Sequence, residues 1–242
     1  MSVAIRQIGD PILHQTPKPV DFSKLQQLQQ YLDIMWHQLH ITGGVGIACN
    51  QCAEIQEPWQ MAIIGVADEQ GLDRAQQRYP HEMIPPPFVI YNPHIESVSG
   101  EPYYPIHGEG CLSVAGPIRG REKRYPAVTL RYSNREGQEF SHQFSGFIAH
   151  IIQHECDHLR GKTFLDGILS ELNESQLSRV KSLCQQALLF HEIQAGVLAM
   201  APMELVFERD QQGKVIIQED ILQQALQASY LAVIEGILKR IA

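Results

Sequence analysis

The sequence holds no run of roughly 18 apolar residues, the length that crosses a bilayer as a helix. Its opening, MSVAIRQIGDPIL, lacks the long apolar stretch after a basic start that marks a secretory signal. A soluble, cytoplasmic protein that does not contact membranes is therefore expected. Positive charge is scarce: 19 Lys and Arg face 27 Asp and Glu, giving a net charge of -8 that argues against general affinity for nucleic acid. Cysteine is sparse and odd in number, five residues in all, which fits a reducing compartment. Cys49 and Cys52 do stand in a C-x-x-C spacing, but no second such pair exists to complete a zinc knuckle. Repeats are absent, and low complexity goes no further than mild glutamine richness. What remains, 44% hydrophobic and 19% charged residues, is enough to fill a core and excludes disorder.

The most informative stretch present is Gln153-His154-Glu155-Cys156-Asp157-His158. On an α-helix, residues four apart share a face, so His154 and His158 can bind one ion while Glu155 reaches a water beside it. Helical context surrounds the motif. Ser145 is a candidate N-cap, Phe147, Ile148, Ile151 and Ile152 recur at helical spacing, and Gly161 stands where a glycine ends a helix. A catalytic site commonly takes three protein ligands and keeps one position for water, so a third ligand is required. Six residues beyond the second His stands Phe164, which cannot ligate; Glu171 and Glu174 are the weaker candidates farther on. The better one is Cys111, in Glu109-Gly110-Cys111-Leu112-Ser113, a stretch flanked by Gly108, Gly116, Pro105 and Pro117 that can present a thiolate from a tight turn.

A third block, Gly44-Val45-Gly46-Ile47-Ala48-Cys49-Asn50-Gln51, completes a pattern. Together GVGIACNQ, EGCLS and QHECDH resemble the three signature motifs of the peptide deformylases, in that order, over roughly residues 1 to 170. The resemblance implies that Cys111, His154 and His158 hold one divalent metal ion and that Glu155 is the general acid/base. It implies hydrolytic removal of the formyl group from the N-terminal formylmethionine of a new polypeptide, with the Gln51 side-chain amide and the Leu112 backbone N–H stabilising the oxyanion. It also implies Fe2+ as the native ion, with Zn2+, Ni2+ or Co2+ as alternates; a mixed thiolate and imidazole set suits all four.

Gly44 and Gly46 let backbone approach closely, so the main chain at Val45 and Gly46 can pair with an extended peptide like an added strand; the plainer alternative is a turn after a helix. By the same resemblance His107, Glu109, Arg119, Phe147, His150 and Ile151 line the substrate cleft. The chain departs from the family in Ala48-Cys49, where two alanines are usual, and in His107 and His150, where many relatives carry apolar groups. Those imidazoles either polarise the methionine pocket or hydrogen-bond at its rim. Glu109 and Asp157 are candidates to orient the histidines, with a helix-anchoring salt bridge the favoured role for Asp157. Cys156, about 200° round the helix from His154, is expected to be a buried thiol.

The expected fold is α+β, antiparallel β-sheets around a central metal-binding helix, with a catalytic domain over 1–172 and an α/β extension over 173–242. A helix is expected from Ser23, with Gln26 completing a capping box, to His40. Strands are expected at Met61 to Val66, Phe88 to Asn92, Val128 to Tyr132 and Glu139 to Phe144. Asp68 to Pro87 reads as a surface insertion with a short helix around Leu72 to Arg78. In the extension, Leu177, Val180, Cys184, Leu188 and His191 mark a helix capped near Asn173. Met203 to Arg209 and Lys214 to Gln218 form a hairpin, and Ile221 to Ile241 a second helix. A homodimer through this extension is one expectation. The expected partner is the nascent formyl-Met chain near the ribosome, without a basic docking helix, since Lys239 and Arg240 stand alone at the end. A metallopeptidase using Glu171 or Glu174, or a non-catalytic binding relative, are the competing readings.

Overall fold

The computed structural model describes residues 4–82, 84–114, 116–193, 204–227 and 231–241. The β-rich runs pair into a five-stranded antiparallel sheet of β1 (Gly46–Ala48), β2 (Met61–Ile64), β3 (Phe88–Ser99), β5 (Ala127–Ser133) and β6 (Glu139–Ser145), in the order β1-β2-β3-β5-β6. Every side chain of β2 is buried, as its unbroken Met-Ala-Ile-Ile run requires, whereas β6 is largely exposed. Helix α1 (Leu25–Thr42) buries Leu28, Tyr31, Leu32, Met35 and Leu39, one stripe at helical spacing, and ends at Gly43 with φ 62°. Helix α3 (Gly146–His158) lies across the sheet and buries Phe147, Ile148, Ala149, Ile151, Ile152 and Cys156 with the sheet residues Ala62, Ile64, Ile90, Val128 and Leu130.

These elements form one compact unit, made of Met1–Arg6, Ile12–Tyr103 and Arg124–Gly161. The second unit consists of Gln7–Pro11, Tyr104–Lys123 and Lys162–Ala242. It contains β4 (Ile118–Gly120), α4 (Phe164–Ser170), α5 (Glu174–Ile193), β7 (Glu204–Arg209), β8 (Val215–Ile217), α6 (Glu219–Gln227) and α7 (Leu231–Arg240). β4 and β7 run parallel, β7 and β8 antiparallel, in the order β4-β7-β8. The core of this unit joins Ile8, Val114, Ile118, Phe164 and Ile168 to Val206, Phe207, Leu222, Leu226, Val233, Ile234 and Ile237. Gly9, at φ 94°, packs on Gly236, where a Cβ would run into the Ile8 carbonyl.

Several local expectations change. The Ser23 and Gln26 box does not form: α1 starts after Lys24 without a side-chain cap, and Ser23 donates instead to Asp21. Ser145 precedes α3 but makes no capping bond. The cap comes from the insertion, because Phe147 N donates to Glu82 Oε2. The insertion carries the expected short helix and adds a contact to α3. It forms α2 (Glu69–Arg78), capped by Asp68 accepting from Gly71 N at 2.6 Å, and then stacks Tyr79 on Phe147 with ring centroids 4.3 Å apart. Within the stretch expected as a helix over Ile221 to Ile241, helix is described as α6 up to Gln227 and as α7 from Leu231 to Arg240; residues 228–230 lie outside the described residues. Asn173 does cap α5, exchanging bonds with Gln176 at 2.9 and 3.1 Å. The side chains of Leu188 and His191, and Met203, lie outside the described residues.

Candidate metal centre

Helix α3 fixes two of the three ligands by backbone geometry. His154 and His158 stand one turn apart with ring centroids 5.0 Å from each other and planes at 77°. His158 is fully buried and His154 half-buried. The helix end is held from below: Asn50, in the turn Cys49–Gln51, donates through Nδ2 to the His158 carbonyl at 2.7 Å and to the Leu13 carbonyl at 3.2 Å. Beyond it Gly161 adopts φ 75°, and its carbonyl accepts from His14 Nδ1 at 3.2 Å, tying down the chain after the helix.

Cys111 lies on the turn after Glu109, whose N–H and C=O both pair with Gly120 at 2.8 and 3.1 Å. Ser113 N donates to Cys111 Sγ at 3.3 Å and orients the sulfur. Gln7 Nε2 donates to the Leu112 carbonyl at 3.1 Å, and Ile8 N to the Ser113 carbonyl at 2.7 Å. The ligand atoms of Cys111, His154 and His158 all lie within 4.8 Å of one another. That spacing, and the S,N,N donor set, fit one ion with bonds of roughly 2.0 to 2.3 Å. The third ligand of the metallopeptidase alternative does not join them. Glu171 is gripped by Arg209, with Nη2 to Oε1 at 3.0 Å.

Glu155 and the glycine block meet directly. Glu155 is 3% exposed, and a Cβ at position 46 would lie 2.5 Å from its Oε1 and 2.8 Å from Ile151 Cγ2. Gly46 thus leaves room for the carboxylate, a reason that motif spacing alone does not disclose. Gln51 accepts at Oε1 from Ala48 N at 2.8 Å, which fixes the carboxamide so that its NH2 faces the other way. β1 is an edge strand. Gly65 N donates to the Val45 carbonyl at 2.9 Å, so ladder alternation turns the Gly46 N–H and C=O to the outer side.

The cleft candidates fall in three places. Phe147, His150 and Ile151 are buried on α3. Val45 and Gly44 lead into β1. His107, Glu109 and Arg119 belong to the Cys111 loop, with His107 exposed and Glu109 buried. Arg119 braces that loop, donating to the carbonyls of His107 and Gly108 at 3.1 and 2.9 Å. Asp157 pairs with buried Arg124 at 2.6 Å and anchors the helix. Cys156 is buried against the sheet, and burial pushes its thiol up to about 12. Sequence reading missed Asn50 and Glu82. Neither has a local signal, since their partners are 108 and 65 residues away.

A thiol and two imidazoles around one point, with a carboxylate on the same helix, define a metal-binding hydrolase. The family model for polypeptide deformylase matches residues 2–174. Peptide deformylase 2 of Xanthomonas axonopodis is 36% identical over 164 residues, covering 67% of this chain and 84% of its own length. Peptide deformylase 2 of a Nostoc species is 35% identical over 170 residues, covering 70% and 87%. The Met-Ala-Ser-bound class I type b peptide deformylase of Acinetobacter baumannii superposes with a TM-score of 0.58 at 32% identity, over 69% of this chain and 99% of that one. The chain belongs to the polypeptide deformylase family.

Proposed function

We propose that this chain hydrolyses the formyl group from the N-terminal formylmethionine of new polypeptides and releases formate, using one divalent ion held by Cys111, His154 and His158. The observation that carries this reading is the approach of those three ligand atoms to within 4.8 Å. An ion bound there supplies Lewis acidity and a water acidified towards neutral pH. Glu155, buried beside Gly46, takes the proton of the attacking water and returns it to the leaving amine. The Gln51 NH2, held by its oxygen on Ala48 N, and the Leu112 N–H donate to the formyl oxygen as negative charge gathers on it. The outward main chain of Gly46 pairs with the peptide as an added strand, while Phe147, His150 and Ile151, with His107, Glu109 and Arg119, receive the methionine side chain and the residues after it.

Fe2+ is the ion we infer, with Zn2+, Ni2+ or Co2+ able to replace it in a mixed thiolate and imidazole set. The partner is the nascent formyl-Met chain. Ribosome docking through a basic final helix is not part of the proposal, because Arg240 is paired with Asp166 and leaves Lys239 as the other cation of the last turn. No helix among the described residues is long and apolar enough to cross a membrane. The test is anaerobic purification with metal analysis and a formate-release assay on formyl-Met-Ala-Ser. Metal-replete protein that releases no formate refutes the reading. The same assay on formyl-Leu and formyl-norleucine peptides shows whether His107 and His150 weaken the preference for methionine.

A further inference from the structure

We propose that the C-terminal extension is a positioning element of the metal centre, with Arg209 as the residue that locks the Cys111 loop in place; the inference rests on the deformylase reading above. The loop runs from Tyr104 to Arg121, and Arg209 holds both of its ends. Its guanidinium lies 4.4 Å over the Tyr104 ring, and Nε donates to the Arg121 carbonyl at 3.1 Å. The remaining donors fix Arg209 itself: Nη1 reaches the Gly213 carbonyl at 2.9 Å, and both Nη atoms bind the Glu171 carboxylate. The Arg209 side chain is 3% exposed, so its bonds to the two carbonyls lie away from water, while Glu171, 41% exposed, grips it from the solvent side.

The strand that carries Arg209 continues the same grip. β7 pairs in parallel with β4, Ile118 opposite Glu204 and Arg119 opposite Leu205, and Arg121 N donates to the Phe207 carbonyl at 3.0 Å. β4 is the returning stem of the loop, and its other edge bonds to Glu109, two residues before Cys111. The stem is therefore bonded on both sides, by Glu109 and by the extension. Leu205 closes the outgoing side, its Cδ1 only 2.5 Å from where a Cβ on Gly108 would stand. Cys111 itself packs against the core to which the extension contributes Val206 and Phe207. A thiol at the tip of a loop braced in this way meets an ion without first paying the entropy of ordering the loop.

The test is cobalt(II)-loaded full-length protein in three forms: wild type, Arg209→Met and Arg209→Lys. The readouts are the thiolate-to-cobalt charge-transfer band, the rate of cobalt loss to EDTA, and kcat and KM separately. We expect cobalt loss about tenfold faster in Arg209→Met, kcat reduced by about as much with KM within roughly twofold, and a partial return in Arg209→Lys, which keeps the charge but not the fork. Leu205→Ala, a half-buried position, reports the same effect if Arg209→Met does not fold. A folded variant that loses cobalt at the wild-type rate overturns the proposal. Wild-type protein that shows the thiolate band but releases no formate overturns the deformylase reading and leaves the positioning role standing.

Discussion

At the residue scale the site is built from close approaches that admit little change. Gly46 is the sharpest case, because a methyl at that position would overlap the Glu155 carboxylate and Ile151. Gly46→Ala should therefore shift the acid and lower kcat roughly 100-fold, the cost of misplacing a catalytic group by about an ångström, while metal content stays at one ion per chain. On the proposed mechanism Gln51→Ala removes an oxyanion donor without touching Cys111, His154 or His158. It should cost about 3 kcal/mol of barrier, again with full metal content by atomic absorption. The cluster of Cys111, His154 and His158 was legible in short motifs because local spacing encodes it: i and i+4 on a helix, and a cysteine between glycines. The approach of Gly46 to Glu155 was not legible, since the two are over one hundred residues apart and the glycine block reads either as a contact for an extended peptide or as a turn after a helix.

At the element scale, α3 depends on a segment that the sequence presented as an insertion. Glu82 accepts from Phe147 N, and Tyr79 stacks on Phe147, so the first turn of the metal helix is capped and clamped from α2 and the chain after it. Glu82→Ala should lower stability by about 1 kcal/mol, as the loss of an N-cap does, and urea denaturation followed by circular dichroism measures it. Strand positions and the hairpin at Asp210 to Gly213 followed from alternation and turn residues. The capping box at Ser23 failed for a physical reason: Asp21 lies two residues away and captures both the Ser23 N–H and hydroxyl, so the helix begins later. The apolar stripe over Ile221 to Ile241 was legible from its periodicity, and its members Leu222, Leu226, Val233 and Ile237 are buried on α6 and α7.

At the scale of the whole molecule, the extension beyond the family match is part of a core. Leu222, Leu226, Val233, Ile234 and Ile237 are fully buried. At about 1.5 to 3 kcal/mol each, they rival the roughly 5 to 15 kcal/mol that separates folded from unfolded chains. A chain ending at Asn173, next to the end of the family match at residue 174, should therefore lose the second unit's core and show a thermal midpoint well below that of the full chain. The stripe behind the dimer expectation is consumed within the chain, and light scattering on the full-length protein reads the oligomeric state. Buried thiols add a pH dependence. Burial pushes Cys49, Cys156 and Cys184 up to about 12 from an ordinary 9.0. Their folded forms keep protons that the unfolded chain releases, so this stability is complete below about pH 9 and drains as pH climbs towards 12. The urea midpoint should accordingly fall between about pH 7.5 and about pH 10.5.

The seating of Gly9 on Gly236 bears on how such a protein comes into being. Synthesis runs from the N-terminus, so Ile8 leaves the ribosome long before the helix against which its backbone rests has been translated. Gln7 and Ile8 also hold the carbonyls of Leu112 and Ser113, so these residues wait first for partners over one hundred positions downstream and then for α7. Closure of this half of the molecule therefore waits on the synthesis of α7.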